Sequence, residues 1–507
     1  MATNSTKFII VGFDGLRPDC VEKDMPNLKR FISSSHRWNN YLATFPTETY
    51  VNHPCIFSGF RPNRHGVIAN AYYDRRLSGE KSIFRGNRVD SILTHDTLDN
   101  GAISVPSLGD RLGAAGKTMR VICANSSGST RLQHMHADRY PGHLNCCVHD
   151  LGLTIPACER EVLQSKWGNG VPLRFPDFDG TKLLTDIFFE YELPRGLADV
   201  TVLWIGEPDH SSHEFGIFDE RTVQARRNAD DAFGKILHWW ESEGQQKGFQ
   251  LVTMSDHGHG EVVKHYDLTK YLRQKGWSVL TGQDIREGKN IAEADLIMVG
   301  TYALGLWLTQ PTEKQLVALR DDLMQCDAVG LIFSQPDPKD PTAIVGRVAG
   351  TFSESVVFSD NLRGPDLRVV YLNNPRSGKL IMAEELPLGA GNHGGLLPQE
   401  IHSVLAVSGN AFTAAASHSE PAGHDDFAVT VMHLLGLLDN ELSLKPIPSA
   451  RLLTEALPGQ NDNEQPVKEK LRLECGAFAQ YIERVHYRGQ TYVIEGARDT
   501  EFENILK

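Results

Sequence analysis

Three short apolar runs, each followed closely by an aspartate, constrain the fold of this chain more than any other feature. The runs and their aspartates are 7–13 with Asp14, 200–205 with Asp209, and 249–254 with Asp256. Runs that are apolar on both faces are typical of buried strands in a parallel sheet. Ligands of open parallel sheets bind outside the carboxyl ends of the strands. The sequence therefore predicts an α/β fold with its site at that edge.

The order of predicted elements divides the chain into a core and an insert. Helices at 106–115 and 221–240 and a strand at 119–123 fit the α/β core. A strand–helix–strand pattern at 303–333 breaks that order and predicts an inserted α+β subdomain. The predicted divisions are a first core part at 1–277, the insert at 278–385, a second core part at 386–460 and a C-terminal extension at 461–507. The second core part holds a predicted strand at 402–407 and a helix at 426–438. The extension holds a polar linker at 461–470 and a hairpin around Gly489.

Composition narrows the class of protein. The 507 residues are 40% hydrophobic and 23% charged, as in an ordinary globular protein. The formal charge of −13 repels polyanions, so a nucleic acid polymer is not expected as a partner. Eight cysteines without regular spacing predict free thiols. No apolar stretch approaches 18 residues and no leader is evident, so we expect a cytoplasmic protein with no membrane contact.

Five aspartates and histidines stand at predicted strand ends or beside glycines, and a sixth, His213, stands four residues after one of them. They are Asp14, Asp209, His213, Asp256, His257 and His393. Each taken singly is more often a turn or capping residue. Carboxylate and imidazole groups are also the usual ligands of zinc and its neighbours. Six are too many for one tetrahedral ion, and they suit two ions about 3.5–4 Å apart. The sequence predicts two divalent ions, zinc first, with manganese or iron left open.

A threonine-rich segment supplies a candidate nucleophile. Thr49 stands at the start of a predicted helix, where a threonine is usually only a cap. It becomes a nucleophile if a metal lowers the pKa of its hydroxyl. A helix N-terminus also stabilises an anion placed there. Asn70, 21 residues later, has amide donors that could hold a phosphoryl oxygen.

Taken together, the motifs resemble the alkaline phosphatase superfamily. The similarity is greatest to its type I phosphodiesterase/nucleotide pyrophosphatase branch, and phosphonoacetate hydrolase is a near relative. The motifs match in order over about residues 7–265 and again over about 388–440. The matching motifs are Phe-Asp-Gly at 13–15, Thr-Tyr-Val-Asn-His at 49–53, His-Gly-Val-Ile-Ala-Asn at 65–70, Pro-Asp at 208–209 with His213, Ser-Asp-His-Gly at 255–258 and Asn-His-Gly at 392–394.

The resemblance implies a fold, a ligand set and a reaction. The implied fold is a mostly parallel sheet with helices on both faces. One metal would be held by Asp14, Asp256, His257 and the Thr49 oxygen. The second would be held by Asp209, His213 and His393. Thr49 would attack a phosphoric diester and form a phosphothreonine, which water then hydrolyses, and Asn70 would steady the phosphoryl group.

Four residues depart from the family pattern or add to it. Glu48 stands where the family often has Lys or Phe, and a carboxylate pointing inward would disfavour very anionic substrates, with a solvent-facing side chain as the alternative. Tyr50 is a candidate platform for a base or ring, with simple packing as the alternative. Arg131 is a candidate anion contact, with a solvated loop residue as the alternative. His259 follows the metal pair, either behind a ligand or with a structural role only.

Three other functions stay open from sequence. A carbon–phosphorus hydrolase of the phosphonoacetate type would need cationic contacts for a carboxylate, and no convincing lysine pair is present. A phosphomonoesterase of this fold usually adds a cationic group near the phosphate, and none is evident beside Thr49. An inactive metal-binding homologue is the alternative outside enzymes. Small phosphate esters or phosphonates are the expected substrates, and a homo-oligomer is allowed.

Overall fold

The computed structural model describes residues 6–438, 444–459 and 464–506. Its strands are β1 (Lys7–Phe13), β2 (His36–Leu42), β3 (Ala71–Tyr73), β4 (Ile83–Arg85), β5 (Met119–Ala124), β6 (Leu144–Cys147), β7 (Val200–Ile205), β8 (Phe249–Met254), β9 (Gly260–His265), β10 (Val279–Thr281), β11 (Leu296–Val299), β12 (Ala303–Leu308), β13 (Val329–Ser334), β14 (Phe352–Ser353), β15 (Leu367–Tyr371), β16 (Asn373–Asn374), β17 (Lys379–Met382), β18 (Gly391–Asn392), β19 (His402–Ser403), β20 (Leu405–Ser408), β21 (Ser417–Gly423), β22 (Val467–Cys475), β23 (Phe478–Tyr487) and β24 (Gln490–Arg498).

The α-helices of the described residues connect these strands. They are α1 (Pro18–Asp24), α2 (Pro26–Ser33), α3 (Thr49–Ser58), α4 (Pro62–His65), α5 (Val89–Asp96), α6 (Leu108–Ala114), α7 (Ser127–Gln133), α8 (Ala157–Trp167), α9 (Phe178–Ile187), α10 (Leu193–Arg195), α11 (Asp209–Phe215), α12 (Glu220–Trp239), α13 (Leu268–Gln274), α14 (Gly282–Arg286), α15 (Glu313–Met324), α16 (Pro398–Ile401), α17 (His424–Leu434) and α18 (Phe502–Leu506). No helix within the described ranges is both long and apolar enough to span a bilayer.

A nine-stranded, mostly parallel sheet forms the core, and the predicted α/β class is confirmed. Eight strands follow the order β19-β2-β20-β8-β1-β7-β5-β6, and β21 pairs with β2. Strand β1 lies between β7 and β8 and pairs with both in parallel. Alternate residues of β1 face opposite sides: Ile9 belongs to the same buried cluster as Phe233 of α12, and Phe8 belongs to the same buried cluster as Ile56 of α3. Helices therefore cover both faces of the sheet, which explains why its central strands are apolar throughout.

A second sheet lies within the predicted insert. Its six strands follow the order β10-β11-β12-β15-β13-β14, spanning 279–371. Strand β9, which precedes the insert in sequence, pairs with β17 inside it and with β18 beyond it. The C-terminal strands β22, β23 and β24 form a separate antiparallel sheet. The insert is therefore joined to the core through β9, and the exact domain divisions stay predictions.

Three sequence expectations need correction in detail. The predicted strand at 402–407 is broken at Val404, whose N–H donates to Ser255 Oγ at 2.8 Å instead of to a neighbouring strand. The predicted helix at 426–438 begins earlier and ends earlier, because Gly436 adopts a φ of +71°. The predicted linker at 461–470 lies partly outside the described residues, and β22 already begins at Val467. The predicted hairpin around Gly489 is present as β23 and β24.

His136 makes folding stability depend on pH. Burial alone would lower its pKa, but its Nδ1 lies 3.1 Å from Asp110 and its Nε2 lies 3.6 Å from Asp96, and these contacts raise the pKa to about 9. The stabilisation, on the order of 1–3 kcal/mol, is complete below the unfolded pKa of about 6.5 and is lost as pH rises towards 9. We expect His136→Asn to lower the free energy of unfolding at pH 6 and to match the native chain at pH 10. Denaturant titration at both pH values measures this, and an equal loss at both would contradict it.

Candidate metal centre

The carboxyl ends of β1, β7 and β8 bring the three predicted aspartates together. Asp14 follows β1 directly, and Asp256 follows β8 after one serine. Asp209 begins α11, after the turn that leaves β7. Because β1 lies between the other two strands, these side chains converge on one point at the edge of the sheet.

Four predicted ligand atoms form a first compact set around Thr49. The Thr49 hydroxyl lies 3.3 Å from Asp14 Oδ1 and 3.0 Å from His257 Nε2. His257 Nε2 in turn lies 3.6 Å from Asp14 Oδ1 and 3.4 Å from Asp256 Oδ2. Zinc bonds of about 2.0–2.1 Å place tetrahedral ligand atoms about 3.3 Å apart. The four distances given, 3.0–3.6 Å, match the spacing of ligand atoms around a tetrahedral ion.

Three further ligand atoms form a second set with similar distances between its members. Asp209 Oδ1 lies 3.2 Å from His213 Nε2 and 3.5 Å from His393 Nε2. The two histidine Nε2 atoms are 3.2 Å apart. The rings of His257 and His393 stack with centroids 3.7 Å apart, so the two ligand sets lie next to each other. This arrangement could hold two neighbouring ions, and the second would keep an open position for a small molecule.

Three of the histidines direct an unprotonated ring nitrogen at the centre. His213, His257 and His393 each direct Nδ1 at a backbone carbonyl, those of Gly391, Gly258 and Thr47 respectively, at 2.7–3.1 Å. A neutral imidazole that donates its Nδ1–H to a carbonyl carries a lone pair on Nε2. Nitrogen lone pairs facing each other at 3.2 Å repel unless a proton or a metal ion lies between them, and this tautomer is the one that metal-binding histidines adopt.

The electrostatics of the centre also call for cations. Burial raises the pKa of Asp14, and repulsion from Asp256 and Asp209 adds to the effect. Burial likewise raises the pKa of Asp256, whose Oδ2 is buried without a hydrogen-bond partner among the described residues. Burial would raise the pKa of Asp209 as well, but contacts with His213 outweigh it and the pKa falls. An orphaned carboxylate oxygen in a protein interior is costly unless a cation pairs with it. The donor set therefore fits divalent metal ions.

Two residues that the sequence argument missed fix the orientation of Asp14. Asn125 Nδ2 and Trp204 Nε1 donate to Asp14 Oδ2 at 2.6 and 3.0 Å, which leaves Oδ1 for Thr49. The indole fits only because residue 12 is glycine: a Cβ at Gly12 would lie 2.1 Å from the Trp204 ring. Asn125 follows β5 directly, so its place at a strand end was a usable signal.

His259 lies behind the second set. Its Nδ1 donates to the Gly15 carbonyl, and its Nε2 lies 3.0 Å from Asp209 Oδ1. The buried ligand groups can also be combined in a second way, which includes His259 and His53. One such group is Asp209, His257, His259 and His393, and another is Asp14, His53 and Asp256, with atoms within 4.8 Å of one another. His259 Nε2 lies 3.0 Å from Asp209 Oδ1 and His53 Nε2 lies 3.6 Å from Asp256 Oδ2, so the choice between these groupings stays part of the proposal.

Asn70 and Glu48, the residue before α3, line a cavity next to Thr49 in the fold. Asn70 Oδ1 accepts the Tyr50 N–H at 3.0 Å, which holds the amide group beside the nucleophile. A cavity of about 390 Å³ opens here, lined by Asn70, His393, Phe175 and other residues of the core and insert. Thr49 is the first residue of α3, so its own N–H has no partner within the helix.

Tyr50 and Arg131 are not among the described residues that line this cavity. The Tyr50 ring packs where a Cβ at Gly86 would lie 2.4 Å from it, and its hydroxyl contacts Ser126 Oγ at 3.2 Å. Arg131 is buried in α7 and donates to the Leu153 carbonyl at 3.3 Å. The base platform at Tyr50 and the anion contact at Arg131 therefore stay predictions.

An alkaline phosphatase-like α/β fold with a buried aspartate–histidine centre is thus the class that the geometry defines. The family model for type I phosphodiesterase / nucleotide pyrophosphatase matches residues 8–326. This chain belongs to that family.

Individual relatives are distant. The chain is 20% identical over 279 residues to ectonucleotide pyrophosphatase/phosphodiesterase family member 1 of Rattus norvegicus, covering 52% of this chain and 25% of that protein. It is 21% identical over 288 residues to a bis(5′-adenosyl)-triphosphatase of Mus musculus, covering 55% of this chain and 53% of that protein. The chain thus spans a quarter to a half of these relatives' lengths. The structure of an inactive form of murine ectonucleotide pyrophosphatase/phosphodiesterase 5 in complex with AMP superposes with a TM-score of 0.58 at 17% identity, covering 85% of this chain and 95% of that one.

Proposed function

We propose that this chain hydrolyses phosphoric diesters, with Thr49 as nucleophile at a centre of two divalent metal ions, zinc first among them. The observation that carries the proposal is the position of the Thr49 hydroxyl, within 3.3 Å of both Asp14 Oδ1 and His257 Nε2. A hydroxyl that only capped its helix would bind a backbone N–H two or three residues on. Family membership supports the same reaction class.

Each of the two ligand sets would hold one ion. Asp14, Asp256, His257 and Thr49 would hold one, and the second set of Asp209, His213 and His393 would hold the other. Bound there, the ions supply Lewis acidity, which lowers the pKa of the threonine hydroxyl and of water and offsets charge on phosphorus.

The side chains then divide the work of the reaction. Thr49 loses its proton to solvent, and its oxygen forms a bond to phosphorus as the bond to the leaving oxygen breaks. The leaving oxygen takes up a proton, and a phosphothreonine remains. Water attacks that phosphorus in line, the bond to Thr49 Oγ1 breaks, and the hydroxyl is regenerated. The amide of Asn70 and the N–H of Thr49 donate to the phosphoryl oxygens in both steps. Two displacements predict net retention at phosphorus.

The lining of the cavity favours a diester over the alternatives. None of the described residues that line it is a lysine or an arginine. A monoester dianion and the carboxylate of phosphonoacetate each carry an extra negative charge that such a residue would need to offset. The named relatives include a bis(5′-adenosyl)-triphosphatase, which supports a small phosphate ester as substrate. A cytoplasmic location and a homo-oligomer stay predictions.

A matched hydrolysis panel tests the proposal. Metal-replete protein is assayed with bis-p-nitrophenyl phosphate, p-nitrophenyl phosphate, thymidine 5′-monophosphate p-nitrophenyl ester and phosphonoacetate, each before and after chelation. We expect chelator-sensitive diester turnover at least about tenfold above monoester turnover, since one uncompensated charge costs about 1.4 kcal/mol or more. Turnover of phosphonoacetate alone would reassign the chain to carbon–phosphorus hydrolysis. No turnover of any of the four would indicate an inactive metal-binding homologue.

A further inference from the structure

His393 is oriented by a residue from a distant part of the chain. His257 directs Nδ1 at the carbonyl of its own neighbour, Gly258, at 3.1 Å. His393 directs Nδ1 at the carbonyl of Thr47, 346 residues earlier, at 2.7 Å. Thr47 stands two residues before the proposed nucleophile. The second set therefore keeps its geometry only if the loop at 393–395 is fixed against the segment that leads into α3.

The side chain of Thr47 makes the first part of that connection. Its Oγ1 accepts the N–H of Gly394 at 3.0 Å, next to the hydrogen bond between His393 and the Thr47 carbonyl. The hydroxyl hydrogen of Thr47 has two acceptors within reach, the Gly395 carbonyl at 3.0 Å and Glu400 Oε2 at 3.1 Å. A hydroxyl that both accepts and donates is fixed in its rotation. The Thr47 carbonyl is thereby held in line with His393 Nδ1.

Glu400 anchors the other end of the connection. Its Oε2 accepts the N–H of Gly395 at 2.6 Å, in addition to its contact with Thr47. Its backbone carbonyl accepts the N–H of Gly258, the residue after His257, at 2.8 Å. This one residue therefore contacts both of the segments that carry His257 and His393.

The insert shields this cluster from water. Thr47 and Glu400 are fully buried, and Tyr302 of the insert is 1% exposed. The Tyr302 ring packs where a Cβ at Gly395 would lie 2.5 Å from it, and its hydroxyl accepts from Asn373 Nδ2 at 3.2 Å. Hydrogen bonds are stronger in such an interior than in water, but burying a carboxylate there costs free energy. The presence of Glu400 therefore indicates a role that an apolar side chain of the same size could not perform.

We propose that Glu400, acting through Thr47, is a positioning residue for the second metal set. The pair holds His393 Nε2 at 3.5 Å from Asp209 Oδ1 and at 3.2 Å from His213 Nε2, and so raises the affinity of that set for its ion. The inference rests on the proposed two-metal centre and adds to it two residues that belong to neither ligand set. Loss of a partner behind a ligand histidine typically costs about 10–100-fold in metal affinity. The first set does not contain His393, so its affinity should stay unchanged.

Two variants of Thr47 test the inference by metal binding, without an activity assay. Thr47→Val removes the hydroxyl, and Thr47→Ser keeps it. Titration of the metal-free chain with zinc in a series of metal buffers measures the affinity for each ion. We expect Thr47→Val to weaken the binding of one ion at least about tenfold and to leave the other unchanged, and Thr47→Ser to bind both as the native chain does. Thr201→Val is the matched control and should change neither, because Thr201 Oγ1 is buried near the amino end of β7 without a hydrogen-bond partner among the described residues.

Further variants identify the affected ion and the partner of Thr47. In a His393→Ala chain the second set is already broken, so adding Thr47→Val should leave the affinity for the remaining ion unchanged. Glu400→Met removes both acceptor oxygens and should weaken the same ion as Thr47→Val at least about tenfold, whereas Glu400→Gln keeps an acceptor and should restore most of the affinity. Because the two residues act as a unit, Thr47→Val combined with Glu400→Met should lose no more than the larger single loss.

The outcomes separate this inference from the proposed function. Native affinity for both ions in Thr47→Val would overturn the inference. Equal weakening of both ions would also overturn it, because a packing defect near α3 would act on both sets. The Thr47 pair decides the question alone if Glu400→Met fails to fold. Binding of fewer than two ions by the native chain would instead contradict the proposed two-metal centre.

Discussion

Replacing Thr49 with alanine is expected to lower diester turnover by about 10⁴-fold or more, because the reaction loses its only proposed nucleophile. The substitution removes only the hydroxyl and methyl groups of the first residue of α3. The helix keeps its backbone hydrogen bonds, so the fold should persist. Asp14, Asp256 and His257 would still hold the first ion, so metal content should stay near two per chain. Steady-state kinetics with bis-p-nitrophenyl phosphate, paired with elemental analysis, measures both quantities.

Thr49→Ser is the matched control for this experiment. Serine keeps the hydroxyl at the position 3.0 Å from His257 Nε2, so most of the activity should return. Mass spectrometry of acid-quenched protein should find a phosphorylated residue 49 in the native chain and none in the alanine variant. Turnover by Thr49→Ala at the native rate would remove Thr49 from the mechanism.

Asp209→Asn and His393→Ala should each reduce the metal content towards one ion per chain. Both residues belong to the second set, where three ligand atoms lie 3.2–3.5 Å apart, and loss of one leaves too few to retain the ion. Changes behind a ligand already cost 10–100-fold in metal affinity, so loss of a ligand should cost at least about 100-fold in affinity and in activity. Elemental analysis after dialysis measures the metal content.

The control for the metal experiment is His136→Asn, a histidine variant outside the centre. It should retain two ions per chain at pH 6 while losing stability, because the carboxylates that His136 contacts within the described residues are those of Asp96 and Asp110. Two ions at full occupancy in both second-set variants would show that the ligand assignment is wrong.

The positions of residues at predicted strand ends allowed much of the site to be predicted from the sequence. Asp14, Asp209 and Asp256 follow apolar runs, and parallel strands bring their carboxyl ends to one edge, so their convergence could be predicted without coordinates. The structure places His213, His257 and His393 with them at ligand spacing. The ligand assignment itself rests on the resemblance and on these distances, and stays a proposal.

The directions in which individual side chains point could not be predicted from the sequence in this way. Whether Tyr50 faces the cavity depends on Gly86, a residue 36 positions later whose missing Cβ lets the ring pack inward. Glu48 could have faced solvent, and it is buried because its carboxylate accepts the Asn70 N–H from another loop. Arg131 turns to the Leu153 carbonyl. Each outcome depends on a contact between distant segments, which no local pattern encodes.

Anomalous diffraction from crystals of the metal-replete protein tests the two-metal claim most directly. We expect two peaks about 3.5–4 Å apart, one bonded to Asp14, Asp256, His257 and Thr49 and the other to the second set. A single peak, or an ion bonded to His259 together with Asp209, His257 and His393, would contradict the account.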